Sequence, residues 1–489
     1  MKKYKQFEEH LKKIAYLNSS AALLSWDQEV YMPVDANEHR ALTSAYMSSL
    51  VHEFFTDPKF GKLLQSLSKA KRLSFEQRRN VEITYKDWKE ATLIPAEYVK
   101  RSAYAHSKSY DAWVKAKDSN DFSMFVENLK EVVNLQKEWV SLVQWKGKTY
   151  DAMLDSYEEG LNMETLDRVF DDLKKQLIPI IKKTTEKTAS TFPLKGKFNA
   201  ALQKQYSLEL LDRITYDLKR GRLDESPHPF SIALHPSDSR ITTSINEKDL
   251  MSVWSTLHEA GHGMYEQGLN SEKFYLPSGQ AISVSVHESQ SRFWENMIGK
   301  NLLFWKNEFG NLREFFKSEI GEMTSESFLD SVNKIEPSLI RIDADEITYH
   351  MHIIIRYEIE KAIFEENYPI ENLPELWNKK YKEYLGIDVP NDEMGVLQDV
   401  HWSGGMFGYF PTYSLGSMFS AQLYNYMKKN CGIEEKLNKK DYDGIRKWLN
   451  ENIHSLGGIY TFEEVCEKVT GEKLNPSYFI DYLNEKYAL

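Results

Sequence analysis

The residues best suited to chemistry stand together in His258-Glu259-Ala260-Gly261-His262, an H-E-x-x-H pattern. On an α-helix, histidines four apart project from one face about a turn from each other, so both imidazoles can meet one tetrahedral metal with Glu259 beside it. Zinc held by nitrogen and carboxylate ligands keeps an open position, lowers the pKa of water there to about 7 and polarises a carbonyl. Glu259 is then the general base that takes the water's proton. The flanking Met251, Val253, Trp254, Leu257, Met264 and Tyr265 make the helix apolar on several sides. It is expected to be buried, where imidazole and carboxylate need partners.

A third ligand must come from elsewhere in the chain. Glu288, in Val286-His287-Glu288-Ser289, is the best placed. Gly268, Pro277 and Gly279 between the two segments can turn the chain and return a second helix. His287 is the rival; about 100° round a helix from Glu288, it cannot face the same point and reads as a hydrogen-bonded neighbour. A hydrolytic oxyanion needs donors aimed at it. His401, Tyr409 and Tyr413, in a glycine-rich stretch from Gly395 to Tyr413, are the candidate supply. No Gly-Lys-Ser/Thr follows, which argues against a phosphate loop.

The elements that position these groups read as mainly helical. Leu166, Val169, Phe170, Leu173 and Leu177 follow the i, i+3, i+4, i+7 pattern, with Pro179 marking a kink or end. Residues 230–234 and 241–245, separated by a turn at 235–240, predict two short strands; a strand beside the metal helix could bind an extended peptide. Residues 340–357 read as one buried helix carrying Arg341, Asp345, Glu346, His350, His352 and Arg356, whose charges need pairing. Trp26 belongs to a distinctive early cluster with Asp27, Met32 and Pro33. With 489 residues and no linker, the chain is expected to be one unit with two lobes, a helical wall or lid over 1–200 and a catalytic part over 201–489.

Composition sets further limits. A net charge of −11 offers no basic stripe, which argues against nucleic acid as a partner and does not suggest an anionic membrane surface. No apolar run spans a bilayer, and two cysteines are too few for a disulfide framework. A cytoplasmic setting is expected.

With these segments in place, the sequence resembles the M32 metallocarboxypeptidases, the thermostable-carboxypeptidase type, over nearly its whole length. The family's H-P-F stands at His228-Pro229-Phe230, D-x-R-x-T at Asp238, Arg240 and Thr242, and H-E-x-x-H at His258 to His262, followed by His287-Glu288-Ser289. I-R-x-x-A-D stands at Ile340, Arg341, Ala344 and Asp345, and G-x-x-Q-D-x-H-W at Gly395, Gln398, Asp399, His401 and Trp402. The resemblance implies a mainly α, two-lobed fold similar to neurolysin and angiotensin-converting enzyme, with a deep groove and a small β-sheet beside the active site. It implies a homodimer that removes single C-terminal residues from peptides with a free C-terminus, with broad specificity. It makes Glu288 the third ligand to one Zn2+ per chain, with Co2+ or Mn2+ as alternatives. Arg240 and Arg341 become candidates for gripping the terminal carboxylate, and Tyr413, then Tyr409, candidates for the oxyanion donor. The same groups would serve an endo-oligopeptidase whose groove is open at both ends. A non-catalytic peptide-binding protein could dispense with His258, Glu259, His262 or Glu288, yet all four are present.

Overall fold

The computed structural model describes residues 2–187, 194 and 196–487. It is mostly α-helical, from Lys2–Val30 to Ser477–Tyr487, with one three-stranded sheet among the described residues. The helical reading of the first 200 residues holds wherever they are described. The helix Met163–Lys187 runs through Pro179 instead of stopping there. Leu166, Val169, Phe170, Leu173 and Leu177 are buried, as their spacing requires.

Two compact units divide the chain, each assembled from three stretches: Met1–Thr92, Phe192–Val332 and Leu423–Lys473 in the first, and Leu93–Thr191, Asn333–Gln422 and Leu474–Leu489 in the second.

In the first unit the opening helix packs through Tyr4, Phe7, Leu11 and Ile14, a 3-4-3 spacing that makes one stripe, onto Phe60, Leu64, Leu67 and Val81. The sheet comprises β1 (Gly221–Glu225), β2 (Ser231–His235) and β3 (Asp238–Thr243), in the order β1-β3-β2. β2 and β3 form the expected antiparallel pair, with Ile232 opposite Arg240. The turn is tighter than anticipated, because β3 already begins at Asp238. β1, parallel to β3 with Arg222 beside Arg240, is an addition to the predicted pair. Its Gly-Arg-Leu-Asp-Glu sequence carries three charges and no β-branched residue, so its extended state comes from β3 rather than from local propensity.

Alternation along β3 gives its two faces different work. Ser239, Ile241 and Thr243 turn to the helix Met251–Gly268: Thr243 Oγ1 lies 2.7 Å from Ser255 Oγ, and a side chain at Gly263 would lie 3.1 Å from Ile241. Arg240 turns to the other face, where its guanidinium sits 4.3 Å from the ring of Trp26. The metal-motif helix then meets the helix Val284–Arg292 at Gly261, where a Cβ would lie 2.5 Å from the carbonyl oxygen of Gln290 and 2.6 Å from Cα of Ser291. No side chain fits there. The motif's small residue is what lets the two helices close.

The second unit is built round the helix Thr348–Glu365, buried at every residue from Thr348 to Tyr357. The single helix expected over 340–357 is interrupted. Arg341–Asp343 form a separate 3-10 turn, and Asp345 caps the helix that follows, accepting from the backbone N–H of Ile347 (2.9 Å) and Thr348 (3.0 Å). Arg341 therefore stands on a turn and Arg356 on the helix.

Gly261→Ala is expected to force the two helices of the first unit apart, at an overpacking cost of about 1–3 kcal/mol. A lowered melting temperature together with reduced metal content by elemental analysis is the expected result. Unchanged metal content would show that the close approach is not needed to assemble the site.

Candidate metal centre and its surroundings

His258, His262 and Glu288 each present a ligand atom within 4.8 Å of the others. Nε2 of His258 and Nε2 of His262 lie 3.8 Å and 3.5 Å from Oε2 of Glu288. Ligand atoms bound about 2.0–2.1 Å from a tetrahedral ion stand roughly 3.3 Å apart, close to both of these separations. The other ends of the ligands are all occupied. Nδ1 of His258 lies 2.8 Å from Oε2 of Glu295, and Arg292 Nε donates to Oε1 of Glu288 at 2.7 Å, leaving Oε2 for the histidines.

His262 and His287 meet Nδ1 to Nδ1 at 2.5 Å, and Nε2 of His287 lies 2.9 Å from Oε1 of Glu266. If His262 offers a lone pair at Nε2, its proton sits on Nδ1 and is donated to His287, whose own proton then sits on Nε2 and points at Glu266. His287 is thus placed as the hydrogen-bonded neighbour of a ligand. Outer partners of this kind fix ring orientation and tautomer.

The electrostatics separate the carboxylates. Burial raises Glu288, but Arg292 and His258 outweigh it and hold its carboxyl well below the usual range. Glu259, 6% exposed, has no such cation bound to it; burial pushes it up to about 7, with Glu288 adding to the rise against His258. Burial pushes His262 down to about 3, and the neighbouring His287 adds to that, so it is a neutral ring. Burial also depresses His258, but Glu288, Glu295 and Glu259 outweigh it and hold it above its ordinary value.

The two candidate arginines are held differently. Arg240 pairs with Asp238 through Nε (2.7 Å) and Nη2 (2.8 Å), one cation to one carboxylate, on the sheet face away from the metal-motif helix. Thr242 ties the same strand to the backbone N–H of Phe230 at 2.9 Å. In the second unit, Arg341 donates from Nε to Oδ1 of Asp399 at 2.9 Å and from Nη1 to Tyr349 at 3.2 Å, while Arg356 donates from Nε to Oδ2 of the same Asp399 at 2.6 Å. The counter-charge is Asp399. Two guanidiniums share one carboxylate, and Gln398 Oε1 accepts from both the Arg341 backbone N–H and Arg356 Nη2.

The tyrosines and His401 border this cluster. Tyr413 lies with its ring 5.4 Å from the Arg341 guanidinium and 5.3 Å, edge-on, from Tyr409. The His401 ring lies tilted, 5.8 Å from Tyr409 and 4.5 Å from Phe410. Burial pushes its imidazole down to about 4, with Arg341 and Arg356 adding to the fall against Asp399, so it is neutral near pH 7 and can donate one N–H. Its Nδ1 is buried without a hydrogen-bond partner and lies 4.0 Å from Asp399 Oδ1.

Sequence reasoning missed Glu295, Glu266 and Arg292. For two of them a signal existed: Glu288, Arg292 and Glu295 stand at i, i+4 and i+7, one helical face. That spacing carries across the junction into the π-helix Phe293–Ile298, a form frequent near functional sites.

Comparison with known proteins agrees across the chain. Residues 6–487 match the family model described as carboxypeptidase Taq (M32) metallopeptidase. The chain is 37% identical to carboxypeptidase 1 of Bacillus subtilis and 37% identical to thermostable carboxypeptidase 1 of Thermus thermophilus, in each case over 99% of this chain and 98% of the relative. The crystal structure of an M32 carboxypeptidase from Deinococcus radiodurans superposes with a TM-score of 0.97 at 35% identity, covering 100% of this chain and 99% of that one.

Glu288→Ala is expected to abolish stable metal binding and His287→Ala to leave the ion in place. Glu295→Ala should weaken affinity by about 10–100-fold, as loss of an outer partner does. Titration with a chelating indicator measures all three, and metal retained by Glu288→Ala but lost by His287→Ala would exchange the two assignments.

Proposed function

The chain belongs to the carboxypeptidase Taq (M32) metallopeptidase family and is a metal-dependent carboxypeptidase, and from that premise we propose how its own residues divide the work of removing single C-terminal residues with broad specificity. His258, His262 and Glu288 hold the divalent ion, with zinc the proposed metal and Co2+ or Mn2+ able to replace it. Such an ion supplies a Lewis acid and an open position that acidifies water. The observation that carries the assignment of Glu259 is its burial beside these ligands, which pushes its carboxyl to about 7. A carboxylate there accepts a proton from water at its oxygen and can return it to the departing amine nitrogen.

Arg341 is the proposed clamp for the substrate's terminal carboxylate. Its cluster sets two buried guanidiniums against one Asp399, an excess of positive charge that a second carboxylate would balance. Arg240, the other candidate, is already matched one to one by Asp238, so it is the weaker proposal. Tyr413, beside Arg341, is the first choice for donating to the developing oxyanion, with Tyr409 second and neutral His401 assisting. β2, at the edge of the sheet, is proposed to take extended substrate backbone. The endo-oligopeptidase alternative is not favoured, since the relatives are carboxypeptidases.

A homodimer is proposed on the family resemblance, to be tested by light scattering. No described helix is long and apolar enough to cross a membrane. A cytoplasmic setting is proposed because two cysteines, Cys431 and Cys466, are too few for a disulfide framework, which suits a reducing compartment.

Glu259→Gln is expected to bind metal normally and lose at least ~10²-fold in kcat, because the amide cannot accept the proton. Normal metal content with normal turnover would remove the base assignment. Arg341→Ala should lower kcat/KM on free-acid peptides by roughly 30- to 1000-fold, or about 2–4 kcal/mol of charge-assisted binding. It should leave the slow cleavage of C-terminally amidated peptides unchanged, and equal losses on both substrates would overturn the clamp.

A further inference from the structure

Glu360 is a carboxylate with no exposed surface at all, on the helix Thr348–Glu365, one turn beyond Arg356. Tyr150 Oη donates to its Oε2 at 2.6 Å, the backbone N–H of Gly408 donates to the same oxygen at 2.8 Å, and Trp402 Nε1 donates to Oε1 at 2.7 Å. Two of these donors lie either side of the glycine-rich turn that carries Gly404 and Gly405. A carboxyl group offers two acceptor oxygens and takes all three without conflict; an amide offers only one.

The same turn is fixed from outside. Gln136 Nε2 donates to the carbonyl oxygen of Gly405 at 3.0 Å, and a Cβ at Gly405 would lie 2.5 Å from that nitrogen and 2.8 Å from Nε2 of His106. Gly408, at φ +84°, lies so close to the backbone of Met153 that a Cβ would come within 2.8 Å of its carbonyl. Both glycines are left-handed and hemmed in, so the turn is a rigid platform rather than a flexible loop. His401 and Tyr409 sit immediately outside its two tethers, Trp402 and Gly408.

We propose that Glu360 is the positioning residue for the 401–410 turn: its carboxylate ties Trp402 and Gly408 to one point and so fixes His401, Tyr409 and, through the helix Pro411–Asn430, Tyr413 in a single arrangement. This rests on the reading that those three side chains act on substrate. Glu360 touches no reacting atom. A buried carboxylate satisfied by three neutral donors is an expensive anchor, and it holds a segment with no bulky side chains of its own at Gly404, Gly405 and Gly408 with which to pack.

Glu360→Gln keeps the shape but offers one acceptor atom. It can serve Tyr150 and Gly408 or it can serve Trp402, and its amide N–H groups then oppose whichever donor remains. Hydrogen exchange at residues 401–410 is expected to accelerate, with kcat falling about 10–100-fold from misplaced groups while KM stays within about two-fold and metal content stays at the wild-type level. Glu360→Gln/Trp402→Phe, which removes the opposed donor, should recover the kcat of Trp402→Phe alone. Should Glu360→Gln fail to fold, Trp402→Phe cuts one tether without touching the carboxylate and carries the same expectation for exchange.

Unchanged exchange in the turn, unchanged kcat, or no recovery in the double variant each overturns the positioning role. His401→Ala, Tyr409→Phe and Tyr413→Phe, assayed alongside, separate the two failures. If they are impaired while Glu360→Gln is not, Glu360 is wrongly assigned; if all three turn over normally, the reading of the turn as catalytic fails first.

Discussion

The contact on which the first unit's chemistry depends is the approach of two helices at Gly261. His258 and His262 are fixed by helical geometry, but Glu288 comes from a different helix, and its Oε2 reaches 3.5 Å from His262 only because nothing larger than hydrogen stands between Gly261 and the Gln290 backbone. Other features of the site follow from that closeness. Glu288 is forced into a buried place with two imidazoles, which is tolerable because Arg292 covers its far oxygen and Glu295 balances Arg292 in turn at 3.2 Å. Lys300 stands on the other oxygen of Glu295 at 3.4 Å. The network alternates sign outward from the ligand set, which is how a protein buries several charges without leaving one uncompensated.

How much of this was legible follows the range of the interaction. The H-E-x-x-H pair needs only the helical period, so sequence sufficed for it. Glu288 could be nominated from its distance and the turn residues before it, with His287 set aside by a rotation about the helix axis. Its outer partners could have been read from the i, i+4, i+7 spacing of Glu288, Arg292 and Glu295. β1 was not legible, because Arg222, Asp224 and Glu225 have no strand preference and become extended only where β3 supplies a parallel partner. The break between Arg341 and Thr348 was hidden for a similar reason: the apolar spacing of the following helix extends back through Ile340 and Ile342, while Asp345, by capping the Ile347 and Thr348 N–H groups, starts the helix later. The pairing of Arg341 with Asp399 spans fifty-eight positions, and no local pattern announces it.

The arginines show why residue type alone does not assign a role. Arg240 and Arg341 occupy equivalent-looking motif positions, yet one is matched by its own Asp238 two residues away and the other shares Asp399 with Arg356. Charge stoichiometry distinguishes them where sequence could not. A one-to-one pair with Trp26 over it is complete in itself and braces the sheet. In the two-to-one cluster a single Asp399 answers two guanidiniums at once.

Glu288, Asp399, Glu259 and Glu360 fall into two classes, and the difference is the kind of donor each has been given. Glu288 and Asp399 face guanidinium groups, and although burial alone would raise both, Arg292 in one case and Arg356 and Arg341 in the other hold them well below the usual range. Each stays ionised at any working pH. For Glu259 and Glu360 burial prevails, and both are pushed up to about 7. Glu360 has three neutral donors and Arg356 nearby, which limit the rise but do not reverse it. Glu259 has the partial compensation of His258, opposed by Glu288. Environments that drive neighbouring carboxyl groups apart in acidity are how one site obtains a permanent anion and a reversible proton carrier from the same functional group. Glu288 and Glu259 stand in that relation: the arginine that holds the first ionised is withheld from the second, and burial raises the proton affinity of Glu259.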